Sequence, residues 1–237
     1  FKSFYCNDCT DKLDYYTSEW KKLGFQPDGI YTGFLSSEKQ VDKILDFINS
    51  FETENTLVLV DPVMGDGGRT YSLFTDALAC KMKKLVTVAD VITPNLTECC
   101  ILCDVDYCEF IKNADKPDFM DKIAELGKDL LNRYGVKIVI ITGIEHKDID
   151  GTMYVQNLIA SKDEVFSVSC KKIGGSYSGT GDLFASVMFS GLLRGDTLRD
   201  TVSLAVKFIE TSLRDTVALG IDRNEGIEFE KHLKILL

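Results

Sequence analysis

The chain has 237 residues, 45% of them hydrophobic, and a formal net charge of −10 at pH 7, a balance typical of one soluble globular domain with a sizeable core. Nucleic acids and anionic membranes would repel this charge, and no apolar run reaches the roughly 20 residues of a membrane span. The eight cysteines predict neither a zinc site nor a disulfide framework, and we interpret them as small buried hydrophobes in a protein of the reducing cytoplasm.

Hydrophobic spacing and turn residues predict alternating helices and strands. The first part predicts a helix over 11–23 capped by Thr10, a strand over 29–33, a helix from 36 or 37 to 51, a buried strand over 56–62, a helix around 75–85, a strand over 90–93 and a helix from about 95. The second predicts a helix over 118–134, a buried strand over 137–143, an antiparallel hairpin within 151–170 and helices from about 182, 198 and 226. This alternation predicts one domain over 1–237, a three-layer α/β/α fold with a mostly parallel, doubly wound sheet.

Polar residues gather where the predicted strands end. They are, in chain order, Asp61, Asp66, Thr93, Asn95, Glu98 and Thr142. Ligands of open parallel sheets bind beyond the carboxyl ends of the strands. We therefore expect these side chains to share one rim of the sheet.

A glycine-rich turn precedes one of the predicted helices. Gly179, Thr180 and Gly181 lead into Asp182, and such a turn directs free amides and a helix dipole at an anion such as phosphate. Carboxylates such as Asp61, Asp66 and Glu98 suit Mg²⁺, and Asp182 could accept a proton from an alcohol. Together these residues favour phosphoryl transfer to a hydroxyl group.

Each of these residues also has a purely structural interpretation. Asp182 could cap its helix, Asp61 could end a strand in a turn, and Asn95 with Glu98 could form a capping box. Thr142 could belong to an ordinary strand exit. Polar groups at four strand or helix boundaries favour the functional interpretation, whereas a Walker A motif, and a dinucleotide fingerprint after the first strand, are both absent from the sequence.

Four segments resemble the pyridoxal kinases of the ribokinase-like superfamily, in order and over essentially the whole chain. They are YTGFLSS (31–37), DPVMGDGG (61–68), TPNLTE (93–98) and GTGDLFAS (179–186). The resemblance implies a ribokinase-like fold, usually in a homodimer. It also implies transfer of the ATP γ-phosphoryl group to the exocyclic hydroxymethyl of pyridoxal, pyridoxine or pyridoxamine, giving pyridoxal phosphate or its analogues.

The same resemblance implies a role for each site residue. Asp182 would be the base, Gly179, Thr180 and Gly181 would supply anion-hole amides, and Asp61 and Glu98 would hold Mg²⁺, partly through water; Asp66, Asn95 and Thr142 would lie near the ATP phosphates, and Phe34 and Tyr71 would contact the substrate. A monovalent cation such as K⁺ is also common in this family. For Phe34 and Tyr71, a place in the core is the alternative interpretation.

The resemblance also leads us to expect an N-terminal segment of about fifty residues, carrying a first strand and part of the acceptor pocket, before Phe1. Two other functions stay open. One is a hydroxymethylpyrimidine kinase or another ribokinase-like small-alcohol kinase, which would share the phosphate-binding residues. The other is an inactive pyridoxal-binding protein, although the chain retains Asp182 and the glycines.

Overall fold

The computed structural model describes Tyr5 and residues 7–237. Its helices are α1 (Leu13–Lys22), α2 (Glu38–Phe51), α3 (Asp76–Val86), α4 (Leu96–Cys103), α5 (Tyr107–Ile111), α6 (Phe119–Tyr134), α7 (Thr180–Arg194) and α8 (Leu198–Leu219). Its strands are β1 (Gly29–Thr32), β2 (Leu57–Val60), β3 (Gly65–Asp66), β4 (Arg69–Thr70), β5 (Val91–Ile92), β6 (Ile138–Lys147), β7 (Met153–Ser161) and β8 (Val165–Lys171). Short 3₁₀ helices lie at Thr10–Lys12 and Glu230–Leu236.

Six of these strands form one sheet in the order β1-β2-β5-β6-β7-β8. The pairs from β1 to β6 are parallel, whereas β7 and β8 add to the edge in antiparallel fashion. Strands β2 and β5 are short and wholly apolar, and β6 begins with the apolar run 138–141, as expected for strands covered on both faces. The predicted mostly parallel, doubly wound α/β fold is confirmed.

Alternate side chains along the central strands pack into two separate hydrophobic cores. Val58 and Val60 face a core built with α2, α3, α4 and α6, whereas Leu59 and Ile140 face a second core built with α7 and α8. This follows from the two-residue repeat of a strand, which places successive side chains on opposite faces. The result is the expected three-layer arrangement. None of the described helices combines the length and apolar character needed to cross a bilayer.

Two local predictions were wrong. Thr10 does not cap the first helix; its own amide donates to Asp8 Oδ1 (2.7 Å) at the start of the 3₁₀ turn. The predicted helix from Gly226 is absent over 226–229, and a 3₁₀ helix follows instead. The reason is tertiary: Gly226 has φ of +88°, and the Glu228 amide donates to Thr216 Oγ1 of α8 (2.9 Å) rather than to a helical carbonyl.

Three elements have no counterpart in the sequence prediction. The two-stranded hairpin β3–β4 and the short α5 both lie in segments with no clear apolar period. The sequence predicts a strand that ends at Gly143, but β6 continues to Lys147. A register shift between Ile141 and Ile144 accommodates the φ of +69° at Gly143 within the strand. The extended β6–β7 pair projects beyond the carboxyl edge of the sheet.

Helices α7 and α8 approach closely at Gly191. A Cβ on this residue would lie 2.5 Å from Thr201 Cγ2, and Thr201 is buried with its hydroxyl donating to the Thr197 carbonyl (2.9 Å). Because a β-branched side chain has little rotamer freedom in a helix, Thr201 cannot easily move aside. The absence of a side chain at Gly191 therefore sets the distance between the two helices.

We predict that Gly191→Ala lowers the free energy of unfolding by about 1–2 kcal/mol, since overpacking costs about 1–3 kcal/mol and exceeds the gain of up to about 1 kcal/mol in helix propensity. Urea unfolding followed by circular dichroism measures this. Ser190→Ala, at the exposed neighbouring position, is the matched control and should change stability by no more than about 0.5 kcal/mol. An equally or more stable Gly191→Ala variant would show that the helices are not in close contact here.

Candidate active site

The polar strand ends meet at the carboxyl edge of the sheet. Backbone hydrogen bonds join each strand end to the next: the Asp61 amide to the Thr32 carbonyl (2.8 Å), the Thr93 amide to the Val60 carbonyl (3.2 Å) and the Thr142 amide to the Pro94 carbonyl (2.9 Å). A parallel bridge also pairs Asn95 with Thr142. The rim predicted from the sequence therefore exists.

Two carboxyl groups are buried in this rim. Asp61 is 8% exposed and Glu98 is 3% exposed. Burial, followed by the charge of Asp182, raises the pKa of Asp61 to about 7, and burial, followed by the charge of Asp61, raises the pKa of Glu98 to about 8. None of the salt bridges among the described residues includes either group. Ionising both carboxyl groups is therefore unfavourable unless a cation binds between them, because no neighbouring described side chain supplies a positive charge.

The N-terminus of α4 confirms the structural interpretation of Asn95 and Glu98. Asn95 Oδ1 accepts the Glu98 amide (3.0 Å) and Glu98 Oε2 accepts the Asn95 amide (2.8 Å), which completes a capping box. Glu98 Oε1 also accepts the Met64 amide (3.0 Å), and Asn95 Nδ2 donates to the Gly65 carbonyl (2.8 Å). A carboxylate has about four lone-pair sites, so these bonds leave Glu98 able to contact a metal or its water.

The N-terminus of α7 is open. Gly179 takes the N-cap position with φ of +82°, and no side chain caps the helix. The first amides of the helix consequently have no partner within it. The Thr180 hydroxyl is turned back to the Tyr177 carbonyl (3.1 Å), so the cradle consists of backbone rather than side chains. Asp182 stands exposed in the first turn.

A groove that no sequence pattern predicts lies beside this helix start. It has a volume of about 390 Å³ and is lined by the turn around Gly179 and Asp182 and by the segment after α8, including Ile221, Ile227 and Phe229. Ile221, Ile227 and Phe229 supply apolar lining, and the groove is also lined by the acidic residues Asp182, Glu225, Glu228 and Glu230. Because Gly179 belongs to the same lining, the groove adjoins the open start of α7.

Tyr31 is a site residue that the sequence pattern did not reveal. A Cβ placed on Gly33 would lie 3.6 Å from both Asp182 Oδ1 and the Tyr31 hydroxyl oxygen, so the phenol and the carboxylate both lie next to Gly33. Burial, then the charges of Asp61 and Asp182, raise the pKa of Tyr31. The phenol therefore keeps its proton at neutral pH. In the sequence, Tyr31 resembles any aromatic residue of a buried strand.

The other predicted residues lie around the same rim. Phe34 is 53% exposed and Tyr71 is 45% exposed, so neither occupies the core. Burial, then the charges of Glu98, Asp66, Asp61 and Asp182, raise the pKa of Tyr71, which therefore faces the carboxylates. Asp66 is exposed at the end of β3, where its Oδ1 accepts the Gly67 amide (2.8 Å).

The donor atoms of the rim fit a divalent cation with a partly hydrated shell. Within the described part of the chain, the buried hydroxyls of Thr32 and Thr93 have no hydrogen-bond partner, and no three His, Cys, Asp or Glu side chains converge tightly enough to enclose a metal. Mg²⁺ prefers oxygen ligands and usually retains several waters. The residues present therefore fit Mg²⁺ held by Asp61 and Glu98 with water or phosphate oxygens completing the shell.

The fold and the rim belong to a known class. The family model for phosphomethylpyrimidine kinase matches residues 21–226, and the chain therefore belongs to this family. A provisionally assigned phosphomethylpyrimidine kinase from Bacteroides thetaiotaomicron, crystallised with pyridoxal, is 36% identical and superimposes with a TM-score of 0.89 over 100% of this chain and 80% of the other.

Relatives named for pyridoxal phosphorylation are also similar. A provisionally named pyridoxal kinase of Schizosaccharomyces pombe is 29% identical over 70% of this chain and 47% of its own length. The chain thus spans about half the length of this curated relative. The pyridoxal kinase of Leishmania donovani, solved with ADP, shares the fold, with a TM-score of 0.77 at 19% identity over 99% of this chain and 79% of the other.

The raised carboxyl pKa values predict a pH dependence of stability. In the unfolded chain, Asp and Glu titrate near 3.9 and 4.3. In the fold, Asp61 and Glu98 titrate near 7 and 8. Between about pH 4 and pH 8 the folded state holds protons that the unfolded state has lost, so the free energy of unfolding should fall as pH rises.

Melting temperatures in excess chelator between pH 5 and pH 8.5 measure this slope, which Asp61→Asn should reduce. Asp76→Asn, on the exposed first turn of α3, is the matched control and should leave the slope as it is in the parent. The same slope in the parent and in Asp61→Asn would contradict the assignment.

Proposed function

We propose that this protein is an ATP-dependent kinase that phosphorylates the exocyclic hydroxymethyl group of pyridoxal, pyridoxine or pyridoxamine. The observation that carries the proposal is the uncapped N-terminus of α7 at Gly179, with Asp182 in its first turn and the buried pair Asp61–Glu98 on the same rim. An anion cradle, a free carboxylate and a cation-binding pair are the groups that phosphoryl transfer requires.

In this proposal the groove beside α7 takes the nucleotide. Its apolar lining accepts the base, while the amides of Gly179, Thr180 and Gly181 hold the phosphate oxygens, assisted by Asn95 and Thr142. Asp61 and Glu98 hold Mg²⁺, partly through water, and Asp66 lies near the phosphates. When bound, Mg²⁺ would neutralise negative charge on the phosphoryl groups. K⁺ and a homodimeric assembly stay predictions from the family resemblance.

Asp182 acts as the base. It accepts the proton of the hydroxymethyl group as that oxygen forms its bond to the γ-phosphorus and the bond from the γ-phosphorus to the bridging oxygen of ADP breaks. Tyr31, beside Gly33, keeps its proton. The group next to the Asp182 carboxylate is therefore a neutral hydrogen-bond donor and not a further anion. The helix dipole of α7 adds attraction for the transferring charge.

Phe34 and Tyr71 form the proposed acceptor side. Both rings are about half exposed on the rim that carries Asp182, so they are available to pack on a pyridine ring. The Bacteroides thetaiotaomicron relative crystallised with pyridoxal supports this acceptor. The family model named for phosphomethylpyrimidine favours hydroxymethylpyrimidine as the second candidate.

An acceptor panel tests the proposal. Purified protein with Mg²⁺ and ATP should convert pyridoxal, pyridoxine or pyridoxamine to the 5′-phosphate, identified by mass spectrometry, with stoichiometric ADP. Phosphorylation of hydroxymethylpyrimidine alone would replace the proposal with the second candidate. Binding of pyridoxal without ADP formation would indicate an inactive binding protein.

We predict that Asp182→Asn lowers kcat by at least about 100-fold, because the base for the hydroxymethyl proton is lost, while nucleotide still binds. Steady-state kinetics and a fluorescent-nucleotide titration measure the two effects. Asp196→Asn is the matched control, since Asp196 lies past the far end of α7 and pairs with Arg194 (2.6 Å). Turnover within about threefold of the parent in Asp182→Asn would remove the assigned role.

A further inference from the structure

The β3–β4 hairpin, residues 65–70, is held to the rim partly by residues of the predicted site and partly by residues outside it. Three of its attachments come from the start of α4: the Met64 amide to Glu98, Asn95 to the Gly65 carbonyl, and the Gly68 amide to Thr97 Oγ1 (2.9 Å). Thr97 is 4% exposed. Its hydroxyl is therefore a buried acceptor directed at the turn of the hairpin.

The fourth attachment is a packing contact made by an aromatic ring. Tyr107, the first residue of α5, packs against Gly68, where a Cβ would lie 2.7 Å from the ring carbon Cε1. Gly68 also has φ of +77°, so both its conformation and its contact exclude a side chain. Burial, then the charge of Asp66, raises the pKa of Tyr107.

We propose that Thr97 and Tyr107 are positioning residues that hold the β3–β4 hairpin in place over the carboxylate rim. Thr97 fixes the hairpin through the Gly68 amide, and Tyr107 closes its outer side. The inference rests on the proposed kinase function, because it concerns where the hairpin places groups of that site.

We call the contacts of Thr97 and Tyr107 with Gly68 the hairpin clamp. The clamp affects the site because the hairpin region carries Asp66 and Tyr71. Asp66 is the last residue of β3, next to the turn, and Tyr71 follows β4, with its amide donating to the Met64 carbonyl (3.0 Å). A hairpin released from α4 would carry both side chains away from Asp61 and Glu98. Ligand binding would then weaken more than the chemical step, since Asp182 stands on α7, which takes part in none of these attachments.

The experiment combines single-amide hydrogen exchange with steady-state kinetics. Thr97→Val removes the acceptor at nearly constant volume, and Thr97→Ser retains it. Exchange of the Gly68 amide, followed by NMR, should accelerate about 3- to 10-fold in Thr97→Val, with a rise of similar size in KM for Mg·ATP or pyridoxal and a smaller change in kcat. Thr97→Ser should behave like the parent.

Tyr107→Ala should have the same effects, whereas Tyr107→Phe should not, because the ring makes the contact with Gly68. Thr211→Val is the control for loss of a threonine hydroxyl, since Thr211 donates to the Lys207 carbonyl within α8 (2.8 Å), and α8 covers the opposite face of the sheet. If the Gly68 amide exchanged at the same rate in Thr97→Val and in Tyr107→Ala as in the parent, the proposal that these residues hold the hairpin would be overturned.

Faster exchange with unchanged KM and kcat would overturn the positioning role and leave only a surface contact. A parent protein that phosphorylates none of the acceptors would refute the proposed function, and with it the positioning role. In that event the exchange rates at Gly68 would still decide whether the two residues hold the hairpin. Should Thr97→Val fail to fold, Tyr107→Ala against Tyr107→Phe decides the same question.

Discussion

The structure depends on two carboxyl groups buried side by side with no basic partner among the described residues. Asp61 and Glu98 repel each other when ionised, and burial adds to the cost. The fold bears this cost through local hydrogen bonds, with Glu98 accepting the amides of Met64 and Asn95. A protein selected for stability alone would favour apolar residues here. In the proposed function the pair is half of a cation site, and the substrate brings the other ligands.

Charge is distributed over the rim in a consistent way. Asp61 follows β2, Glu98 lies on α4 and Asp66 ends β3, whereas positive potential comes from the backbone of α7, whose N-terminus is left uncapped at Gly179. In the proposed reaction, the polyphosphate lies between these two sides. Backbone amides and a bound cation would then allow a chain with net charge −10 to hold a highly anionic substrate.

Some residues serve the fold and the site together. The capping box of Asn95 and Glu98 is a complete structural explanation of TPNLTE (93–98), yet the same two side chains anchor the hairpin through Met64 and Gly65. The two interpretations that the sequence leaves open are therefore compatible. The site gains rigidity because its polar groups are fixed by the start of a helix rather than by a loop.

The sequence predicts the sheet and its polar strand ends because both follow from local rules. A continuous apolar run such as LVLV of β2 indicates a strand that is buried on both faces of the sheet. The polar residue that ends such a run lies at the rim. Tyr31, Thr97 and the groove beside Phe229 depend on contacts between distant segments, which no local pattern encodes. The end of the chain was mispredicted for the same reason, since Thr216 of α8 takes the amide of Glu228.

The central claim is that Asp61 and Glu98 form a cation site, and proton release on Mg²⁺ binding tests it most directly. Calorimetric titration with Mg²⁺, at pH 7 and pH 9 in buffers of different ionisation enthalpy, counts the protons released. We predict release at pH 7, little or none at pH 9, and loss of that release in Asp61→Asn, because Mg²⁺ binds the ionised carboxylates and displaces their protons to the buffer. Binding at pH 7 without proton release, or release unchanged in Asp61→Asn, would contradict the account.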